Sequence, residues 1–248
     1  MRVLVLNANT NKAMTDHALA HARRLAPEIE FTGATGRFGS AHIGTRATYA
    51  IASHAAIDCF AAETTKYDAI ILACFGDPGL GALQDLADVP VFGLAECASR
   101  AAAAYKQPFS IVTGGQRWVA LLTEYLAGLG LTEHLASIRT VSVTGSQILA
   151  DPDRSLDALA MACRVAKEND GASRVILGGA GLIGLAEKVA ARAEGSVLDC
   201  LVPAVAAVRA VGPNARASTP AKTTGTATLS GIDPRLATLV ADDLTKEV

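Results

Sequence analysis

The chain contains the stretch Ala69-Ile70-Ile71-Leu72-Ala73-Cys74-Phe75-Gly76-Asp77-Pro78-Gly79-Leu80. Its apolar first part is a continuous run of the kind found in strands that are buried on both faces of a parallel sheet. The run passes directly into a turn rich in glycine and proline, which breaks regular structure before the next element begins. This stretch therefore predicts the strand–turn–helix unit of an α/β fold.

The same alternation continues in both directions along the chain. Short apolar runs predict further strands at Val3–Leu6, Pro90–Gly93, Phe109–Thr113, Ile138–Val143, Val175–Leu177 and Ser196–Asp199. Between them, alanine-rich segments predict helices at Lys12–Leu25, Arg46–Ala62, Glu96–Tyr105, Arg117–Leu126, Asp153–Glu168 and Pro203–Val211. We expect Thr10 or Asn11 to cap the first helix and Ser155 to cap the helix near residue 153. Regular alternation of this kind predicts mostly parallel sheets with helices on both faces.

The pattern occurs twice, which indicates an internal duplication. The strand at 70–74 and its loop align with residues 175–179, and the first strand with its loop aligns with residues 110–115. We therefore expect two pseudo-symmetric, flavodoxin-like, three-layer α/β domains, one formed by residues 1–97 plus 205–248 and the other by residues 98–204. The segment 212–228 is predicted to be a loop within a C-terminal tail that ends in a short helix from residue 234. The active site is expected in the cleft between the halves, at the carboxyl ends of their strands.

Composition excludes several classes of function. The 248 residues carry a net charge of -2 and only 4% aromatic residues, which argues against a nucleic-acid-binding protein. No apolar stretch approaches a membrane span, and the N-terminal segment lacks the features of a signal peptide, so we expect no membrane partner and a cytoplasmic location. The five cysteines are odd in number and show no CxxC spacing, and no histidine motif of metal spacing occurs, so neither a disulfide framework nor a metal site is predicted.

Cys74 is the first candidate for chemistry. It stands where a buried strand enters a glycine-rich turn before a helix, and backbone N–H groups in such a turn stabilise anions. We therefore expect a lowered thiol pKa and a reactive thiolate. Phe75 follows in the same loop, and Asp77 either orients the thiol or caps the helix after Pro78.

Three further loops follow predicted strands and are expected to bind substrate oxygens through amide, hydroxyl and backbone N–H groups. Their candidate residues are Asn9, Thr10, Thr113, Gly114, Gly179, Ala180 and Gly181. The third of these loops, 179–184, also matches GxGxxG spacing, which leaves a nucleotide-dependent enzyme as an alternative. His42, in a glycine-containing loop, is a possible accessory group because that loop can reach the cleft.

These motifs together resemble the aspartate/glutamate/hydantoin racemase superfamily over most of residues 1–211. The resemblance rests on the Asn-rich first loop, the Ala-Cys-Phe-Gly-Asp-Pro-Gly-Leu block at 73–80, Val-Thr-Gly-Gly at 112–115 and Leu-Gly-Gly-Ala-Gly at 177–181. The block around Cys74 looks closest to the hydantoin racemase branch. The resemblance implies a two-domain α/β fold, a homo-oligomer, and cofactor-independent chemistry between two cysteines that flank a carbon next to a carbonyl.

The sequence departs from that pattern at the second cysteine, because Gly179 occupies its position. Cys200, Asp199 or a water could act on the second face of the substrate. Alternatively, Cys74 works alone, as the acid/base of a decarboxylation or tautomerisation or as a nucleophile that opens a ring or displaces a leaving group. A binding protein without turnover is the remaining alternative. The resemblance favours an isomerase or racemase that acts on a hydantoin, amino acid or related small acid.

Overall fold

The computed structural model describes residues 1–217 and 230–245, with only the helical backbone described for 241–245. The first half of the fold alternates strands and helices in the order β1 Arg2–Asn7, α1 Lys12–Leu25, β2 Glu30–Thr35, α2 Arg46–Ala61, β3 Ala69–Leu72, α3 Leu80–Leu86, β4 Val91–Gly93 and α4 Leu94–Ala103. The second half continues with β5 Phe109–Gly114, α5 Trp118–Gly128, β6 Leu135–Val141, α6 Gly145–Ala150, α7 Pro152–Glu168, β7 Arg174–Leu177, α8 Ala186–Ala193, β8 Val197–Asp199 and α9 Leu201–Val211. A last helix, α10, spans Pro234–Thr245.

The two halves share one sheet topology. Each contains a four-stranded, fully parallel sheet, with strand order β2-β1-β3-β4 in the first and β6-β5-β7-β8 in the second. This repeated order confirms the predicted two-sheet α/β fold. Strand β3 is fully buried, as the apolar run at 69–72 predicts. The predicted domain limits, 1–97 plus 205–248 against 98–204, stay a prediction.

Several local predictions can be compared with the elements. Asn11 caps α1, because its side chain accepts a hydrogen bond from the backbone N–H of Ala13. The cap of α7 is Asp151, not Ser155, and Pro152 opens that helix. Strand β2 was not predicted, because a glycine and two threonines dilute its apolar pattern. From residue 218 on, the loop predicted over 212–228 lies outside the described residues.

Each sheet has one switch point, where the connections from two neighbouring strands lead to opposite edges of the sheet. In the first sheet β1 and β3 are neighbours, and the connections from them run to opposite sides; β5 and β7 have the same relationship in the second sheet. Ligands of open α/β sheets bind beyond the carboxyl ends of strands at such switch points. In the described part of the chain, no helix is long and apolar enough to cross a membrane.

Candidate active site

A cavity lies where the loops that follow β1, β3, β5 and β7 meet. The first half contributes Asn9, His42, Cys74 and Phe75 to its wall. The second half contributes Thr113, Gly114, Gly179, Ala180 and Gly181. Its free space is about 60 Å³, room for roughly four to six water molecules. Both switch points therefore open into one small chamber.

Cys74 is held rigidly at the end of β3. The N–H of Ala73 donates to the carbonyl of Leu6 across 2.7 Å, and the N–H of Asp77 donates to the carbonyl of Cys74 across 3.0 Å. The side chain is buried, and burial, with a smaller effect of the nearby Asp77 carboxylate, raises the pKa of the thiol to about 12. The expected lowering of this pKa is therefore wrong. The loss of hydration destabilises the thiolate more than the turn and the short helix α3 stabilise it.

Asp77 lies behind the cavity and is not part of its lining. Its carboxylate accepts hydrogen bonds from the N–H groups of Ala95 (3.0 Å) and Glu96 (2.7 Å) and from the hydroxyl of Tyr125 (2.7 Å). It thus caps α4, whereas the sequence suggested the helix after Pro78. Burial outweighs these three donors and raises the pKa of Asp77 to about 7. Asp77 ties the Cys74 loop to the start of α4 and does not contact the cavity.

Asn9 is oriented by its neighbours in the first loop. Its side-chain oxygen accepts from the amide of Asn7 (3.0 Å) and from the backbone N–H of Asn11 (2.8 Å). Because these donors occupy Oδ1, Nδ2 is the atom through which Asn9 can serve a bound carbonyl oxygen. Thr10 was also predicted to bind substrate, but it lies outside the lining, and its N–H donates to the carbonyl of Ser40 across 3.2 Å.

Gly179 forms the opposite wall with a backbone that favours glycine. Its φ is 151°, a value that residues with a Cβ rarely adopt. A Cβ built there would lie 3.3 Å from Leu182 Cδ1 and 3.9 Å from Thr113 Oγ1, so it fits only if the flexible Leu182 side chain shifts slightly. By contrast, a Cβ on Gly181 would lie 2.1 Å from the carbonyl oxygen of Gly145. The second loop therefore packs tightly at Gly181 and leaves an unfilled position at Gly179.

Cys200 lies behind this loop and does not line the cavity. Its thiol donates to the carbonyl oxygen of Gly179 across 3.8 Å. The side chain is completely buried, and burial, reinforced by Asp199, raises its pKa well above the usual range. Asp199 is also outside the lining, and its carboxylate accepts from the N–H groups of Gly184 and Leu201. In this arrangement neither residue reaches a molecule in the cavity.

Sequence reasoning missed part of the lining. The additional residues are Met14, Ala41, Ile43, Trp118, Gly145 and Leu182. Trp118 is the one tryptophan of the chain and opens α5 four residues after Gly114, which is a usable signal. Met14 and Leu182 could not be predicted in this way, because the sequence does not distinguish an apolar residue that lines a cleft from one in the core. None of the described residues that line the cavity is a lysine or arginine.

The GxGxxG-like stretch and the histidines of α1 do not form a further ligand site at this cavity. Residues 179–182 of the GxGxxG-like stretch line a chamber with about 60 Å³ of free space, whereas sites for drug-sized ligands measure roughly 300–1,000 Å³. The histidines of α1, His17 and His21, lie outside this lining; His17 Nε2 donates to the carbonyl of Ile183 across 2.8 Å, and both residues are half-buried. Within residues 1–217 and 230–245, no three His, Cys, Asp or Glu side chains are grouped to hold a metal ion.

Comparisons with known proteins agree on one family. The family model described as Asp/Glu/Hydantoin racemase matches residues 3–211. A hydantoin racemase from Paenarthrobacter aurescens is 32% identical over 202 residues, which cover 80% of this chain and 86% of that protein. Allantoin racemase from Pseudomonas fluorescens superposes with a TM-score of 0.82 at 30% identity, over 85% of this chain and 90% of the other. Allantoin racemase from Klebsiella pneumoniae gives a TM-score of 0.85 at 29% identity, over 95% and 98% of the two chains.

Proposed function

The chain belongs to the Asp/Glu/hydantoin racemase family, and from this premise we propose that it is a cofactor-independent isomerase. Cys74 exchanges a proton at a carbon next to a carbonyl of a small substrate. The observation that carries the proposal is the placement of Cys74 at the end of β3, inside the chamber that both switch points share.

The chamber supplies what an enolate-like transition state requires. Removal of a proton next to a carbonyl moves negative charge onto the carbonyl oxygen, and prearranged donors stabilise that charge. Asn9 and Thr113 bring an amide and a hydroxyl to the wall, and Gly114 and Ala180 also line it and have backbone N–H groups that can serve as further donors. This arrangement supports proton transfer without an added electrophile.

The lining favours an uncharged ring as the substrate. A free dicarboxylate would leave its charges without a lysine or arginine partner among the described lining residues, which is costly in a mostly apolar chamber. Hydantoins combine the required carbonyl groups with no carboxylate. The proposal therefore commits to a hydantoin-like ring, and the names of the hydantoin and allantoin racemases similar to this chain support it.

Gly179 favours a second candidate, in which Cys74 works on one face only. A malonate-type acid would lose carbon dioxide, and the electron pair left on carbon would take the proton of the Cys74 thiol. Burial keeps this thiol protonated in the unliganded site, which suits an acid better than a base. Tautomerisation and nucleophilic ring opening are the other one-sided reactions of a lone cysteine. The non-catalytic alternative is a protein that binds the ligand without turnover.

The test follows the reaction in heavy water by proton NMR and by optical rotation. The substrates are both enantiomers of a 5-alkylhydantoin, L-aspartate, L-glutamate and an arylmalonate, each with wild type and Cys74→Ala. Deuterium entry with loss of rotation for the hydantoin supports the isomerase, and Cys74→Ala should lower that rate by roughly 10²- to 10⁴-fold.

Each other result has a distinct meaning. Deuterium entry with retained rotation, or conversion of the arylmalonate, supports the one-sided candidate. Equal rates in wild type and Cys74→Ala would refute a role for the thiol. Binding of the hydantoin by calorimetry without any exchange would leave the binding protein.

A further inference from the structure

We propose that His42 is the second proton-transfer group of this site and acts on the substrate face opposite Cys74. The inference deepens the proposed isomerase function and rests on it. It assigns a catalytic role to a side chain from the loop between β2 and α2, in place of the thiol that Gly179 does not provide.

The chemistry of the lining points to His42. Apart from Cys74, the lining side chains are apolar, amide, hydroxyl or absent, and His42 is the other one with an ionisable group. An imidazole both accepts and donates protons near neutral pH, which is what a group facing the second side of a racemising carbon must do. Cys200 and Asp199, the other candidates near Gly179, lie outside the lining.

Strand order puts the His42 loop and the Cys74 loop on two sides of the Asn9 loop. The sheet runs β2-β1-β3, so β1 lies between the strand that precedes the His42 loop and the strand that ends at Cys74. Neighbouring strands are about 4.8 Å apart, which separates β2 from β3 by roughly 10 Å. Asn9, after the middle strand, is positioned to hold the carbonyl of a substrate between them. A carbon flanked by two groups at roughly 3–3.5 Å each needs them about 6–7 Å apart, which lies within this spacing.

Hydrogen bonds hold the His42 loop in place beside the chamber. The carbonyl of Ser40 accepts the N–H of Thr10 across 3.2 Å, and the hydroxyl of Ser40 donates to the carbonyl of His42 across 2.6 Å. A Cβ on Gly44 would lie 2.9 Å from His42 Nε2, so glycine at 44 leaves room for the imidazole. These contacts hold the residue at the chamber, while the exposed ring can exchange its proton with solvent.

The proposed steps balance. In one direction a nitrogen of His42 takes the proton from the substrate carbon, the C–H electrons move into the carbonyl, and the Cys74 thiol returns a proton to the opposite face. The site then holds an imidazolium and a thiolate. In the other direction the thiolate takes the proton and the imidazolium returns one. No oxidant, reductant or co-reactant is consumed, and the buried thiol starts in the protonated form that the first direction requires.

The experiment measures enantiomer-specific exchange in heavy water. The wild type, His42→Gln, Cys74→Ser and the matched control His134→Gln are each given the separate enantiomers of a 5-alkylhydantoin at pH 7 and pH 9. His134 lies in the 3-10 turn Thr132–His134, away from the chamber lining. Because His42 is exposed, its replacement should leave the thermal unfolding curve unchanged.

We expect His42→Gln to lose interconversion by roughly 10²- to 10⁴-fold. It should still incorporate deuterium, with retention, into the enantiomer whose proton faces Cys74. Cys74→Ser should do the same with the opposite enantiomer, and His134→Gln should match the wild type. A further variant, His42→Ala, tests the role of the imidazole itself. Added imidazole should restore interconversion to this variant, a result that a merely structural role of His42 would not produce.

Two results would overturn the inference while the isomerase function stands. They are wild-type interconversion by His42→Gln, and exchange of the same enantiomer by both single variants. Absence of any exchange in the wild type with every substrate would overturn the proposed function and this inference together.

Discussion

The thiol of Cys200 donates a hydrogen bond to the carbonyl oxygen of Gly179 across 3.8 Å. A second cysteine therefore contacts Gly179, the position at which the resemblance leads us to expect a second thiol, but from behind the loop. Because the side chain is fully buried and its pKa is raised, this contact supports the loop and keeps the sulfur from the substrate.

Replacement of Cys200 should affect stability more than turnover. We expect Cys200→Ala to lower the free energy of unfolding by roughly 1–2 kcal/mol, because it removes a buried sulfur and its hydrogen bond. Hydantoin interconversion should stay within about twofold of wild type. Urea unfolding and the exchange assay measure the two effects, with Cys74→Ala as the contrasting variant. A well-folded Cys200→Ala protein without interconversion would make Cys200 the second acid.

The burial of Asp77 should produce a recognisable pH dependence of stability. Its pKa is about 7 in the folded protein and about 3.9 in an unfolded chain. The folded state thus binds more protons between these values, so stability from this group is present below about pH 4 and is lost as the pH rises to about 7.

Asp77→Asn removes this titration and also exchanges one acceptor oxygen for a donor. The variant should be less stable than wild type by roughly 1–2 kcal/mol at pH 5, and the difference should shrink by pH 8. Urea unfolding across this range measures it, with the exposed Asp85→Asn as control. A difference that grows with pH would mean that the ionised carboxylate stabilises the fold.

A thiol at position 179 should add a second acid/base at a cost in stability. A Cβ fits this site after a small shift of the Leu182 side chain, but φ is 151°, and such backbone strain costs roughly 1–3 kcal/mol. We expect Gly179→Cys to restore interconversion in the His42→Gln background, and Gly179→Ala to carry the same stability cost without that gain. Interconversion rates and urea unfolding separate the effects. Equal activity of the two double variants would argue against a reachable second face at 179.

Arg37 should anchor the β2–α2 loop mainly through one of its two carboxylate partners. Its guanidinium binds the buried Asp58 at 2.7 and 2.9 Å and the more exposed Asp233, just before α10, at 3.1 Å. Arg37→Ala leaves Asp58 buried without its cation and should cost roughly 2–3 kcal/mol.

Asp233→Ala breaks only the exposed half of this network and should lower stability much less than Arg37→Ala, because exposed ion pairs contribute little. Guanidinium unfolding of both variants, with salt as a second variable, measures the difference. Similar losses in the two variants would show that the anchor of the C-terminal helix, and not the buried pair, dominates.

Much of the fold follows from patterns that are local in the chain. The buried run at 69–72, the turn residues after it and their repetition near 175–179 predict two parallel sheets, because strand burial and turn formation depend on neighbouring residues. The same stretches place Cys74 and Gly179 after corresponding strands, and parallel strands end at one edge of a sheet. The sequence therefore places each residue at the carboxyl end of its own sheet, whereas the packing of the two sheets brings both to one cavity.

Only the tertiary structure decides what surrounds these residues. Asp77 caps a helix that begins 17 residues later, Cys200 lies behind Gly179, and Met14 and Trp118 complete the cavity wall, although each is remote in sequence from its partners. The raised pKa of Cys74 has the same origin. Desolvation is a sum over all elements packed around a group, so no local motif contains it, and it outweighs the turn that suggested a thiolate.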